Sequence, residues 1–317
     1  MSGTRHDHGH NDHEHGHAHA HGHAHAPASF GKAFAIGVGL NSGFVVLEVI
    51  YGLLGNSVAL LSDAGHNLGD VLGLLVAWTA SVLARRAPTA RYTYGMRGSS
   101  ILAALFNAVF LLVTVGALSW EAIRRLGQPE AVAGNIVMSV AAVGILVNGV
   151  TAWLFASGRN GDINLRGAFT HMASDALVSA GVVTAGLVIL LTGRFWLDPL
   201  VSLAVNAVIV WGTWSLLRDS LGMSLAAVPR NLDPEDVRAF LEKQPGVAAI
   251  HDLHIWPMST TETALTCHLV MPAGHPGDAF IHRLAAELEA GFRIDHPTVQ
   301  IEVDPHSACA LAPESVV

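Results

Sequence analysis

Read as apolar and polar positions, the chain changes character at about Asp219. Before that point lie six mostly apolar stretches: Ala33–Leu54, Val58–Leu83, Ile101–Ile123, Val132–Ala156, Ala168–Thr192 and Phe195–Leu217. Each is of the order of 20 residues or more, the length a helix needs to cross a hydrocarbon layer about 30 Å thick. After Asp219 the apolar positions become short and periodic, as in a water-soluble fold. Asp233 followed by Pro234 is a helix cap with a first-turn proline, and the helix runs through Val237, Phe240 and Leu241 to stop before Pro245 and Gly246. VAAIHDLHIW and TALTCHLVM alternate as strands joined by the polar MSTTE, Gly277–Phe292 is a second helix, and TVQIEV is a last strand. The order α-β-β-α-β gives a small sheet with helices on one face. The pattern therefore predicts three parts: a polar tail over 1–29, an all-α membrane bundle of six helices over 30–218, and a compact α+β domain over 219–317.

Composition agrees, with 51% hydrophobic and only 13% charged residues, far below the quarter usual in soluble proteins. A multi-pass protein of a lipid bilayer follows, with no nucleic-acid partner expected. The net charge of −8 says little, because much of it comes from the acidic soluble end. Placement says more. Arg85, Arg86, Arg91 and Arg97 crowd the connection after the second span, and Arg159 and Arg166 flank that between the fourth and fifth. The positive-inside rule puts those connections and both termini in the cytoplasm, against a weaker opposing signal from Arg124, Arg125 and Arg194. No cleavable signal core precedes Ala33, so the first span is expected to serve as the targeting signal, in the cell's inner (plasma) membrane. Cys267 and Cys309 fall in the soluble part, where a reducing compartment disfavours a disulfide and permits metal ligation.

Within the apolar region one phrase occurs twice. His66 and Asp70 stand four apart in SDAGHNLGDVLGLLVAW, and His171 and Asp175 four apart in AFTHMASDALVSAGVV. On a helix each pair shares a face. An aspartate in the membrane costs roughly 2.5–3.5 kcal/mol on insertion scales, so such residues line a pathway or pair with one another. One pair alone is equally well read as a local hydrogen bond between helices. Two pairs together offer two nitrogens and two oxygens, the number and type that fill a tetrahedral zinc site. Two carboxylates balance a divalent cation, and an empty site takes up protons instead. Metal and proton competing for the same ligands is the chemistry of an exchanger. The donor set suits Zn2+, with Co2+ and Cd2+ also accommodated, because neighbouring divalent metals are poorly discriminated by ligand type.

The polar tail carries ten histidines, His6, His8, His10, His13, His15, His17, His19, His21, His23 and His25. Gly, Ala and Asp alternate through them, unlike an uninterrupted affinity tag. With so few apolar residues the segment is expected to lack fixed structure. Its imidazoles suit loose collection of metal ions.

Six spans, HxxxD in the second and the fifth, RYTYG at Arg91–Gly95 and HDLHIW opening the strands together resemble the cation diffusion facilitator family over about Phe30 to Asp304. The paired HxxxD motifs are similar to its zinc-transporting branch. That resemblance implies a Zn2+/proton antiporter exporting cytoplasmic zinc, commonly a homodimer, with a ferredoxin-like cytoplasmic domain. It implies that His66, Asp70, His171 and Asp175 are the transport ligands. It also implies a regulatory zinc site in the soluble domain at His251, His268 and Glu302. An extra site some members have after the second span is not expected, since ARRAPTARYTYG has neither His nor Asp, and SGRNGDINLRG replaces the His-rich stretch many eukaryotic members have between the fourth and fifth spans.

Further residues stay open. His251 and His254 are an odd distance apart on one strand, so they are expected on opposite faces, with at most one in any one-face site. Asp63 is read as an acceptor for an imidazole N–H, a stop on a proton route, or a structural hydrogen bond near the membrane surface. Asn67 is read as packing glue, and Gly69, Gly73, Gly181 and Gly186 as close-packing positions. Glu48 receives no role. His306 or Cys309 can add a fourth soluble-domain ligand, while His275, His282 and His296 read as surface residues. Two rivals remain: a membrane-anchored zinc sensor, and an intramembrane zinc metalloenzyme. The second is disfavoured because four ligands leave no open position and HExxH is absent.

Overall fold

The computed structural model describes residues 32–84, 86–156, 163–304 and 309, and the side chains of 32–37, 74, 77, 78, 80, 81, 84, 154–156 and 163–170 lie outside that description. The tail histidines, Arg85, Arg159, His306 and the side chain of Arg166 are likewise outside it. The helices are α1 (Lys32–Leu54), α2 (Val58–Ala84), α3 (Ser99–Gly127), α4 (Gly134–Ala156), α5 (Ile163–Thr192) and α6 (Leu197–Ser224). Among the described residues, four stretches are long and apolar enough to cross a membrane, in α3, α4, α5 and α6, and Val38–Leu54 is a shorter apolar segment. Trp153, Leu177 and Trp211 project outward and are about three-quarters exposed, as a lipid-facing surface requires. The chain is an integral, multi-pass membrane protein with an α-helical bundle and an appended α+β domain.

Small residues let the helices approach. A Cβ at Gly69 would stand 2.0 Å from Leu111 Cδ2 and one at Gly73 2.8 Å from Asn107 Nδ2, so α3 lies directly on α2. Gly134 and Gly186 bring the α4 and α5 backbones together, a Cβ at Gly186 meeting Met138 N at 2.9 Å. Gly181 has open space around it, unlike the close contact expected from the sequence. The start of α2 is fixed from a distance. Asp198 on α6 accepts hydrogen bonds from the Ser57 hydroxyl, from Val58 N at 2.7 Å and from Ala59 N at 3.3 Å. These satisfy amide groups that every helix start leaves open, and the helix dipole favours the carboxylate there. At the same end of the bundle, away from the α+β domain, Arg124 and Arg125 pair with Glu121 at 2.8 Å.

The soluble part contains α7 (Pro234–Glu242), β1 (Ala249–Pro257), β2 (Thr263–Val270), α8 (Asp278–Phe292) and β3 (His296–Glu302). The Asp233 carboxylate caps α7 by accepting from Glu235 N at 2.9 Å. The sheet order is β1-β2-β3, with β1 antiparallel and β3 parallel to β2. One face meets both helices through Val237, Leu241, Leu265, Cys267, Leu269, Leu284 and Leu288, all buried. Each such leucine contributes about 1.5–3 kcal/mol relative to an exposed one. The other face carries polar residues. The bundle and this domain touch where α3 begins: Arg97 Nη1 lies 2.5 Å from Glu262 Oε1, and Thr260 N donates to Ser100 Oγ at 3.0 Å.

One register shift corrects the sequence reading. His251 pairs with His268 and His254 with Thr266, so β1 uses three steps where β2 uses two. The extra residue is a β-bulge, with Asp252 at φ +53°. Directly paired residues share a face, and His251 and His254 therefore lie on the same side of the sheet, the polar one.

Candidate metal centre

The two HxxxD motifs meet. α2 presents His66 and Asp70 while α5 presents His171 and Asp175, and one ligand atom from each lies within 4.8 Å of all the others. The pairing is crosswise. His66 Nε2 stands 3.7 Å from Asp70 Oδ2 and 3.3 Å from Asp175 Oδ1. His171 Nε2 stands 3.2 Å from Asp70 Oδ2 and 3.6 Å from Asp175 Oδ2. The imidazole rings are 5.8 Å apart and near perpendicular at 80°. Asp70 Oδ2 and Asp175 Oδ2 nevertheless accept no aligned hydrogen bond among the described residues. Close approach without alignment is the geometry of donor atoms aimed at a shared centre. Two imidazoles and two carboxylates around such a centre fit a tetrahedral divalent cation of the borderline class.

Exposure of the four falls along the bundle axis. Asp70 and His171, toward the soluble domain, have side chains 26% and 35% exposed, whereas His66 and Asp175 have 20% and 4%. One turn further out Asp63 and Ser179 are fully buried. The cluster is thus more exposed at its soluble-domain end and closed off at the other.

Beyond the closed side stands a second polar group. Asn67 Nδ2 donates to Glu48 Oε2 at 3.0 Å, and Ser179 Oγ donates to Asp63 Oδ2 at 3.5 Å. Asn67, read as packing glue, thus joins α2 to α1 by a side-chain hydrogen bond. Glu48 and Ser179 carry no signal in the repeated motif. The one available hint was a solitary acid, Glu48, inside an apolar span.

A second cluster occupies the polar face of the sheet. His268 Nδ1 lies 2.9 Å from Glu302 Oε1, 3.2 Å from His251 Nε2 and 3.7 Å from Cys309 Sγ, and His251 Nε2 lies 3.3 Å from Glu302 Oε1. One ligand atom from each of His251, His268, Glu302 and Cys309 falls within 4.8 Å of the rest. Of the two tail residues considered from sequence, Cys309 joins this group. Asp252 Oδ2 stands 3.4 Å from His268 Nε2, which directs the opposite nitrogen of that ring at the cluster, and Asp252 Oδ1 lies 2.8 Å from His254 Nε2. His254 shares the face yet stays outside the four. Partial burial works to raise Glu302, but the Cys309 hydrogen bond and the His251 and His268 charges hold its carboxyl below the usual range. Cys267 faces the helices instead. Burial, reinforced by the Asp252 charge, pushes its thiol up to about 12, so it stays protonated and inert. His275 and His282 are exposed, as is His296, whose ring meets Tyr94 at 5.6 Å.

The sequence compares directly with known proteins. Residues 34–223 match a family described as the cation efflux transmembrane domain, and residues 229–304 one described as the cation efflux protein, cytoplasmic domain. The chain is 34% identical over 281 residues to the "Cadmium, cobalt and zinc/H(+)-K(+) antiporter" of Bacillus subtilis, spanning 87% of this chain and 90% of that protein. It is 36% identical over 269 residues to the "Zinc transporter ZitB" of Escherichia coli, spanning 84% of this chain and 86% of that protein. It is 33% identical over 275 residues to the "Metal cation efflux system protein CzcD" of Cupriavidus metallidurans, spanning 86% and 87%.

Proposed function

We propose, for a chain that belongs to the cation efflux, or cation diffusion facilitator, family of transporters, that it exports Zn2+ from the cytoplasm in exchange for protons. The family is one of transporters, which removes the metalloenzyme reading. The observation that carries the proposal is the crosswise cluster of His66, Asp70, His171 and Asp175 inside the bundle. Its two carboxylates neutralise a divalent ion that would otherwise meet a low-dielectric barrier. The exposure gradient supports a state that loads from the side of the soluble domain, taken here as the cytoplasm. Protons arriving from the other side compete for the same four ligands and release the ion outward. The Bacillus protein's name couples metal to H+ and K+, and the relatives' names include cadmium and cobalt, which supports Cd2+ and Co2+ as further substrates.

The remaining assignments follow the same reading. Residues 30–218 form the transport domain in the plasma membrane, with both termini cytoplasmic. Residues 219–317 form a regulatory and dimerisation domain of a homodimer, binding zinc at His251, His268, Glu302 and Cys309. Residues 1–29 collect metal at low supply.

The test is zinc flux into sealed vesicles containing the purified protein. Asp70→Ala or Asp175→Ala should abolish flux and its dependence on a pH gradient while the soluble domain still binds metal. Retained flux in both variants would favour the sensor reading, in which the spans only anchor the soluble domain. Deleting residues 1–26 should weaken transport at low zinc and preserve it at high zinc.

A further inference from the structure

We infer that Glu48 and Asp63 form a proton store, separate from the metal ligands, that feeds the intramembrane cluster from its closed side. The inference rests on the exchange reading above and adds the route by which protons reach the site. Both carboxyl groups are fully buried, one on α1 and one on α2, within hydrogen-bonding reach of each other. Each has one oxygen served by a neighbour, Glu48 Oε2 by Asn67 and Asp63 Oδ2 by Ser179. The other two, Glu48 Oε1 and Asp63 Oδ1, have no partner among the described residues. Two adjacent carboxylates cannot both stay ionised away from water, and such pairs hold one proton in common. A single hydrogen between the two open oxygens completes the arrangement.

Among the described residues no lysine or arginine faces the pair. The titratable groups facing the pair are His66 on α2 and Asp175 on α5, both belonging to the metal cluster. α4 carries no titratable residue, and Asp198 of α6 is occupied by Ser57 and the start of α2. The pair also stands in the right place. α2 starts at the end of the bundle away from the soluble domain, so Asp63 lies one turn outward of His66. Ser179 bridges toward Asp175, one turn along α5, whose Oδ2 has an open position. In the relay, the O–H bond of the pair breaks and an O–H bond forms on a ligand carboxylate as its bond to the metal ion breaks. The ion leaves outward, and the pair takes a fresh proton from the far side.

The experiment combines infrared spectroscopy with flux measurements on the full protein. In zinc-loaded protein at neutral pH the ligand carboxylates are held by metal, so a protonated-carboxyl stretch that substitution of Glu48 or Asp63 removes belongs to the pair, not to Asp198. That band should be present in the wild type and lost in Glu48→Gln and in Asp63→Asn. In vesicles, the ratio of zinc flux with and without a pH gradient should fall to about one in Glu48→Gln. Absence of the band from zinc-loaded wild type overturns the inference without any variant having to fold. So does a band and gradient response unchanged in both variants, and in either case the exchange reading stands. A wild-type flux indifferent to the gradient overturns both readings.

Discussion

Among the described residues two clusters of four candidate metal ligands each share a pair of histidines and a carboxylate, and differ in how the chain assembles them. The intramembrane one is built from a repeated i, i+4 spacing on two helices, with two nitrogens and two oxygens. The one on the sheet gathers two histidines from neighbouring strands, a glutamate from the end of β3 and a cysteine from beyond it. A borderline donor set in a site of zero net charge when loaded allows release, whereas a thiolate adds affinity for soft and borderline metals. The first arrangement suits passage and the second retention. Regular helices supply the side chains of the first cluster. The second depends on a bulge and on Cys309, beyond the last strand.

The comparison is most sharply broken inside the membrane. Asp175→Ala should lower zinc affinity at the bundle site by at least about a hundredfold, beyond the 10- to 100-fold typical of losing a mere supporting contact. Equilibrium dialysis should then find the soluble-domain metal unchanged. The converse variant, His268→Ala with Cys309→Ala, should remove the soluble-domain metal while leaving flux at saturating zinc within about tenfold of wild type, the range of a typical allosteric coupling. Asp252→Asn reaches the cluster through the His268 ring, so it should weaken that site by about 10- to 100-fold and leave the bundle's metal content untouched.

Smaller effects separate the two cysteines. Cys309 should be alkylated at neutral pH and protected by zinc, while Cys267 should stay unreactive until the protein unfolds. The Cys267 thiol, raised in the fold from 9.0 to about 12, contributes stability that is complete below pH 9.0 and is lost as the pH rises from there toward about 12. Thermal unfolding in that range should flatten in Cys267→Ala. Glu302 has the opposite sign. Its folded value lies below 4.5, so its contribution is present above pH 4.5 and disappears as the pH falls below it. Least of all, Arg97→Ala should cost only about 0.2–1 kcal/mol, because its pair with Glu262 is over 30% exposed on both sides.

Much of the architecture was legible in the residues themselves. The six apolar stretches overlap the six observed bundle helices, falling furthest short at the start of α5 and the end of α6, since apolar length alone decides what can enter a bilayer. The HxxxD spacing put imidazole and carboxylate on one face of each helix, although nothing in either motif required the two faces to meet. The bulge at Asp252 was invisible, because alternation fixes faces only while no residue is inserted. That one insertion turned His254 over. Glu48 could not be interpreted from sequence because its partners, Asp63 and Asn67, sit on another helix. Cys309 likewise depends on where the chain turns after β3, which no periodicity encodes.

The Asp198 anchor has a mechanical consequence. By tying the first turn of α2 to α6, while α3 lies against both, it makes α2, α3 and α6 one block. The glycine contacts make α4 and α5 another. α2 and α5 themselves touch over only a short length, and that seam is where the ligands lie. Each block owns one histidine and one aspartate. A slide of one block past the other would part the four side chains into two halves, each with one imidazole and one carboxylate, so the integrity of the cluster depends on how these two blocks are docked.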